Sequence, residues 1–169
     1  MTGLSFIAAL AVRYLLVVLF FPFSALDKIL NFNGAVGQAQ EIVSSRPAAT
    51  ILLMAGLATE ILMPLAILTG WWDRLAALVM AGYCMVTALL WKRFWQPGDF
   101  WSGGKSKGRE LFWDFLKNFS LAGGFLVITL GTGSLQSFLD DPLSSSHPYR
   151  TATVGGAPVA PDASTGTAP

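Results

Sequence analysis

The chain has 169 residues, of which 53% are hydrophobic and only 12% are charged, and its mean hydropathy is positive. An average soluble domain is about 25% charged, so this composition is typical of a membrane protein. Eleven Lys and Arg against ten Asp and Glu argue against nucleic-acid binding, and one cysteine with one histidine gives too few ligands for a metal or haem site.

Four apolar runs are long enough to cross a hydrocarbon core about 30 Å thick, which needs roughly 20 helical residues. They cover about residues 4–30, 48–69, 72–94 and 110–132. The first run does not resemble a signal peptide, because the segment before Arg13 is itself apolar rather than charged. The runs predict an all-α integral membrane protein, with residues 1–133 forming a four-helix bundle.

The connection between the first two runs is predicted to contain a short helix. Apolar residues recur at helical spacing over 35–43, opposite polar ones, which is typical of an amphipathic helix in the membrane interface. Asn33 is expected to cap this helix, and Pro47 to mark the exit into the second span. The next connection is only GWWDR, so the second and third spans must be antiparallel neighbours.

Positive charge is concentrated on one side of the predicted bundle. With four spans, the first and third connections share a side and hold most of the cations: Lys28, Arg46, Lys92, Arg93, Lys105, Lys107 and Arg109. The positive-inside rule predicts loops 31–47 and 95–109 in the cytoplasm and both termini outside. Residues 134–169 are rich in Pro, Ala, Ser and Thr and are predicted to be a disordered polar tail.

Ionisable residues inside the runs indicate a partner or a polar cavity, because each costs about 2.5 to 3.5 kcal/mol at the centre of an inserted helix. Glu60 is the deepest. The others form a stripe on the first span, Arg13, Asp27 and Lys28, and a face of the fourth span, Asp114 and Lys117. Judged by depth, Asp27 and Lys28 can meet Asp114 and Lys117, and Arg13 is expected to pair with Glu60.

Prolines and glycines in the runs predict positions of helix packing. Pro64 lies one turn after Glu60 and frees the Glu60 carbonyl, and Pro22 does the same near Val18. Gly123 and Gly124 are expected to let the fourth helix approach a neighbour closely. The intramembrane charges have three open interpretations: they lock helix packing, pair with another subunit, or line a pocket for a quinone headgroup, a small anion or a proton path.

Three segments together resemble the DoxX family of small bacterial membrane proteins: RYLLVVLFFPFSALDKI (13–29), GLATEILMPLAILTG (56–70) and ELFWDFLKNFSLAGGFL (110–126). In that family an Arg opens the first span, a Lys closes it, a Glu begins the second, and Lys-Asn lies in the fourth. Carried over by position, this pattern marks Arg13, Lys28, Glu60, Lys117 and Asn118. A glycine is usual where this chain has Ala25.

The resemblance implies a multi-pass protein of the bacterial cytoplasmic membrane with an association to redox chemistry, since relatives include a thiosulfate:quinone oxidoreductase subunit. The chain has no electron carrier of its own. It is therefore expected to be an accessory subunit of an oxidoreductase rather than a complete enzyme, with lipids and other membrane or redox subunits as partners and a non-covalently bound quinone. The alternatives are a structural or assembly subunit and, less favoured without inverted repeats, a small-solute transporter.

Overall fold

The computed structural model describes residues 3–19, 21–130 and 135–144, which contain helices and no strand. The helices are α1 (Gly3–Val17), α2 (Phe21–Leu30), α3 (Phe32–Gln40), α4 (Arg46–Thr69), α5 (Asp73–Trp91), α6 (Lys107–Leu130) and α7 (Leu135–Asp140). By length and composition α1 with α2, and α4, α5 and α6, can each cross a membrane. The predicted all-α, four-span architecture is confirmed.

The first span is interrupted between α1 and α2. Pro22 is the second residue of α2, and because proline has no N–H it cannot donate a hydrogen bond back to Val18. The last turn of α1 is closed by the Val18 N–H, which donates to the Tyr14 carbonyl at 2.8 Å. The break divides the span into a segment that carries Arg13 and a segment that carries Lys28.

The buried face of α4 repeats every three or four residues, through Ala49, Leu53, Leu57, Glu60, Pro64 and Ile67. This spacing keeps one side of a helix turned toward its neighbours. Glu60 belongs to that face and is only 2% exposed, so its carboxylate points into the protein. Pro64 lies on the same face, and α4 continues past it to Thr69.

An apolar core lies between two polar regions of the bundle. One region surrounds Arg13 and Asp73, and the other surrounds Lys28 and Glu60. The core contains Val17 and Phe21 from the first span, Ile67 from α4, Ala76, Ala77, Met80 and Ala81 from α5, and Ala122 and Phe125 from α6. Along α5, for example, these residues lie between Asp73 and Tyr83. The rings of Phe21 and Phe125 pack with their centroids 5.7 Å apart.

The tight connection between α4 and α5 makes these helices antiparallel neighbours, as predicted. Gly70 ends α4 in the left-handed region at a φ of 75°, which a glycine adopts without steric cost. Gly124 of α6 faces α1, where an added Cβ would lie 3.1 Å from Leu16 Cδ1. No such neighbour lies within 4 Å of Gly123. The predicted close approach is therefore made at Gly124 alone.

The helix predicted between the first two spans is present as α3, although its predicted cap is wrong. Asn31 occupies the cap position without a side-chain hydrogen bond. Asn33 lies inside the helix, where its side-chain oxygen accepts from Arg46 Nη2 at 3.0 Å. Pro47 lies in the first turn of α4, as expected for the start of the second span.

Part of the segment predicted as a polar tail from residue 134 is helical. Residues 135–140 form α7, and the following turn docks on the start of α5. There Arg74 Nη1 donates to the Asp141 carbonyl at 2.6 Å, and the Leu75 N–H donates to the Leu143 carbonyl at 3.3 Å. These long-range bonds supply order that the polar composition does not indicate. The rest of the predicted tail, 145–169, lies outside the described residues.

Candidate functional site

The Glu60 carboxylate accepts hydrogen bonds from three side chains on two other helices. Its Oε1 accepts from Lys28 Nζ at 2.7 Å, from the Tyr83 hydroxyl at 2.8 Å and from Ser24 Oγ at 3.1 Å. Its Oε2 accepts from Lys28 at 3.0 Å and from no other side chain in the described part of the chain. The ion pair with Lys28 compensates the charge of a carboxylate that is withdrawn from water.

Local sequence explains how these donors converge on Glu60. Ser24 and Lys28 are one turn apart on α2, so both side chains lie on the same face, and Lys28 Nζ also donates to Ser24 Oγ at 2.6 Å. Tyr83 adjoins the buried Cys84 on α5, where its ring packs against the core and its hydroxyl reaches α4. The network therefore links α2, α4 and α5.

The network lines a cavity of about 540 Å³ bounded mainly by α2, α3, α4 and α5. Apolar side chains form much of the wall: Phe21, Leu52, Leu53, Val86, Leu90 and Trp91. The cavity runs from Glu60 toward the ends of the helices, where Asn31, Gln38 and Lys92 line it, and Asn118 of α6 reaches it as well. An apolar enclosure with a few convergent polar groups is the usual form of a small-molecule site.

The charged residues that line the cavity balance one another: Lys28 and Lys92 against Asp27 and Glu60. Lys92 donates to Asp114 at 3.0 Å on the side of α6, and Lys117 donates to the same carboxylate at 3.2 Å. Among the described residues, no hydrogen bond or ion pair joins Asp27 or Lys28 to Asp114 or Lys117. Asp27 and Lys28 share the cavity with Asn118, whose amide donates to the Asp114 carbonyl at 2.9 Å.

The predicted ion pair between Arg13 and Glu60 is wrong. Arg13 Nη2 instead pairs with Asp73 Oδ2 at 2.6 Å, and its Nη1 donates to the Ile67 carbonyl at 2.7 Å. Asp73 belongs to the short GWWDR connection, yet its side chain is fully buried. The carboxylate on α5 is therefore the nearer partner, and the apolar core lies between Arg13 and Glu60.

Sequence reasoning missed two residues that complete these clusters. Tyr83 lies within an apolar run, but an aromatic side chain with a polar tip on the inward face of a span is a signal for a buried hydrogen bond. Asp73 begins an apolar run and is followed by Arg74, which is also buried. An adjacent acid and base at the start of a span could have indicated a buried partner for Arg13.

The DoxX family model matches residues 8–93, about half of the 169 residues. The chain belongs to the DoxX family. With four helices of spanning length and composition, this DoxX protein is a multi-pass membrane protein. The matched segment contains Lys28 and Glu60 and ends before α6, so Lys117 and Asn118 lie outside it. No curated protein and no solved structure matches the chain at a significant level.

Proposed function

We propose that this DoxX protein is an accessory subunit of a membrane redox complex and binds the headgroup of a quinone in the cavity beside Glu60. The observation that carries the proposal is the network of Lys28, Ser24, Glu60 and Tyr83, which opens into an apolar-walled cavity. A quinone ring needs apolar contact on its faces and hydrogen-bonding partners at its two oxygen atoms.

Unused hydrogen-bonding capacity favours the reduced form, a hydroquinone. A carboxylate offers about four acceptor positions, and Oε2 of Glu60 receives only Lys28 among the described residues. A hydroquinone hydroxyl can donate to that oxygen. The amides of Asn31, Gln38 and Asn118 line the other part of the cavity and can bond the second hydroxyl.

The charge balance favours a neutral ligand over an anion. Each cation of the cavity wall has a carboxylate partner, Lys28 with Glu60 and Lys92 with Asp114. An anion would have to displace one of these carboxylates, whereas a neutral ring would not. The volume of about 540 Å³ is also within the range of roughly 300 to 1,000 Å³ usual for small-molecule sites.

The accessory role follows from what the chain supplies. Oxidation of a hydroquinone releases two protons and two electrons, and the role that the geometry gives Glu60 and Tyr83 is to accept and pass on protons. The electrons require a partner subunit with a redox cofactor. The part contributed by this chain is to hold the ring, orient a hydroxyl toward Glu60 and exclude lipid from the cavity.

The test compares Glu60→Gln with Glu110→Gln, which makes the same chemical change on α6 at an exposed residue outside the cavity. Purified protein in mild detergent is dialysed against a ubiquinol with one isoprene unit. Loss of a hydrogen bond to a charged group is expected to weaken binding by Glu60→Gln roughly tenfold or more, with no change for Glu110→Gln. Equal ubiquinol affinity in wild type and Glu60→Gln, or no binding by the wild type, overturns the proposal.

A structural or assembly role is the second candidate, because the Lys28–Glu60 pair also joins α2 to α4. In that case Glu60→Gln reduces accumulation in the membrane, and the apolar pair Lys28→Met with Glu60→Leu restores both accumulation and assembly with co-purifying chains. Under the quinone proposal the double variant accumulates and still fails to bind ubiquinol. Mass spectrometry of co-purified chains and lipids provides the assembly readout.

We infer the orientation from the positive-inside rule. The residues after α3 and the connection from α5 to α6 line one groove, so the two basic connections lie at the same end of the bundle. This supports loops 31–47 and 95–109 in the cytoplasm and both termini outside the cytoplasmic membrane. A periplasm-dependent reporter fused after Pro169 is expected to be active, and activity of a cytoplasm-dependent reporter at the same position would reverse the orientation.

A further inference from the structure

A second groove, of about 810 Å³, lies at the helix ends beside the quinone cavity. It is bounded by the segment after α3, the end of α5 and the start of α6. Three cations line it, Lys92, Arg93 and Lys107, together with a single carboxylate, Glu41. Nothing in the proposed quinone site uses Arg93 or Lys107, since neither residue lines the first cavity.

The cations of this groove are only partly compensated. Lys92 is paired with Asp114, whereas neither Arg93 nor Lys107 has an ion-pair partner among the residues that the structure describes. The first free N–H groups of α6 do not contribute to anion binding, because Asp99 accepts from the Lys107 and Gly108 N–H groups at 2.8 Å each. The positive potential of the groove therefore comes from side chains.

The position of the groove matches the level of lipid headgroups. Lys92 directly follows α5 and Lys107 begins α6, so the groove lies at the ends of two helices of membrane-spanning length. Trp91 is fixed there by its Nε1–H, which donates to the Gln38 carbonyl at 3.0 Å, and tryptophan is enriched at the membrane interface. Ile42, Leu90 and Leu111 add apolar wall that suits the first carbons of an acyl chain.

We propose that this groove binds the phosphate of an anionic phospholipid, with Arg93 and Lys107 as its main ligands. The guanidinium of Arg93 can bond two phosphate oxygens at once, and Lys107 adds a compact charge. Because Glu41 also lines the groove and disfavours surplus negative charge there, a headgroup with one negative charge, such as phosphatidylglycerol, suits the site.

The test titrates the full chain, purified in detergent, with phosphatidylglycerol, phosphatidylcholine or inorganic phosphate, and follows bound lipid by native mass spectrometry. The double variant Arg93→Gln with Lys107→Gln is compared with the double variant Lys105→Gln with Arg109→Gln, which removes two cations near the start of α6 that do not line the groove. At roughly fivefold per cation, the groove variant should bind phosphatidylglycerol about 25-fold more weakly, and the control should change little. Arg93→Lys keeps the positive charge and is expected to lose less phosphatidylglycerol affinity than the double variant.

Three results would each contradict the lipid proposal. Equal losses in the two double variants would indicate diffuse surface attraction, and equal binding of phosphatidylcholine would indicate that the charge of the headgroup is not recognised. Competition by millimolar inorganic phosphate would assign the groove to a free anion. Ubiquinol binding should be unchanged in the groove variant, so the lipid proposal and the quinone proposal succeed or fail separately.

Discussion

The Arg13–Asp73 and Lys28–Glu60 ion pairs have similar lengths and very different surroundings. Arg13 and Asp73 lie 2.6 Å apart with side chains 9% and 0% exposed, and Lys28 and Glu60 lie 2.7 Å apart with side chains 25% and 2% exposed. The second bond of Arg13 goes to a backbone carbonyl, whereas Glu60 also accepts from two hydroxyls beside a cavity. The first pair can hold helices together, while the second can also exchange bonds with a ligand.

Desolvation explains why the surroundings matter more than the distance. A charge without water depends entirely on its partner, so removal of that partner leaves an uncompensated ion. Beside a cavity, water or a ligand can take the partner's place. The structure therefore predicts that equivalent substitutions in the two pairs have unequal effects on stability.

The largest effect is expected for Asp73→Asn, which removes the buried negative charge that is paired with Arg13. Breaking a buried pair in this way typically destabilises a protein by about 3 to 5 kcal/mol. The unfolding temperature in detergent and the accumulation in the membrane should both fall strongly. The double variant Arg13→Met with Asp73→Leu removes both charges and should recover most of the loss. If the double variant is as unstable as Asp73→Asn, the charge of Arg13 is not the cause.

A smaller effect is expected for Glu60→Gln, because the amide still accepts a hydrogen bond and the partly exposed Lys28 can be hydrated through the cavity. A loss of about 1 to 2 kcal/mol is the usual range for a weakened polar contact. The unfolding temperature, measured in the same detergent as for Asp73→Asn, tests the difference directly. An effect as large as that of Asp73→Asn would remove the distinction between the closed pair and the open one.

The membrane spans could be predicted from the sequence, but the ion-pair partners of Arg13 and Glu60 could not. Long apolar runs predict membrane helices because length and hydropathy are local properties, and Glu60 had to face protein because of its depth. Its partner could not be found in the same way. Depth along the chain predicts contacts only for a continuous helix, but the first span is interrupted before Phe21. Asp73 is buried although it belongs to a short connection between spans.

Tyr83→Phe tests how much the open network depends on one member. The variant deletes one donor to Glu60 while Lys28 and Ser24 keep theirs, so a loss of about 0.5 to 1.5 kcal/mol is expected. Tyr14→Phe makes the same change at a half-exposed residue of α1 and serves as the matched control. The unfolding temperatures of both variants are measured. If Tyr83→Phe lowers the unfolding temperature no more than Tyr14→Phe does, the Tyr83 hydroxyl has no role in stability.

The smallest effect on stability is expected for a substitution of Asp99, a carboxylate in the connection between α5 and α6. Hydrogen bonds from the Gly108 and Lys107 N–H groups hold the pKa of Asp99 below its usual value. Because the folded-state pKa is the lower one, the ionised carboxylate stabilises the folded chain fully above the unfolded-state pKa of about 3.9, and this contribution is lost as the pH falls through the folded-state pKa.

Asp99→Asn should therefore lower the unfolding temperature slightly at pH 7, and the gap from wild type should close at pH values well below about 4. The other carboxylates titrate in both proteins, so their effect cancels in the difference between the two unfolding temperatures. A gap that stays constant across this range would mean that the shape of the Asp99 side chain, and not its charge, holds the start of α6. In that case the charge of a carboxylate would contribute to stability at Asp73, where water is excluded, and not at Asp99, where water is present. Burial would then be the property that separates the two residues.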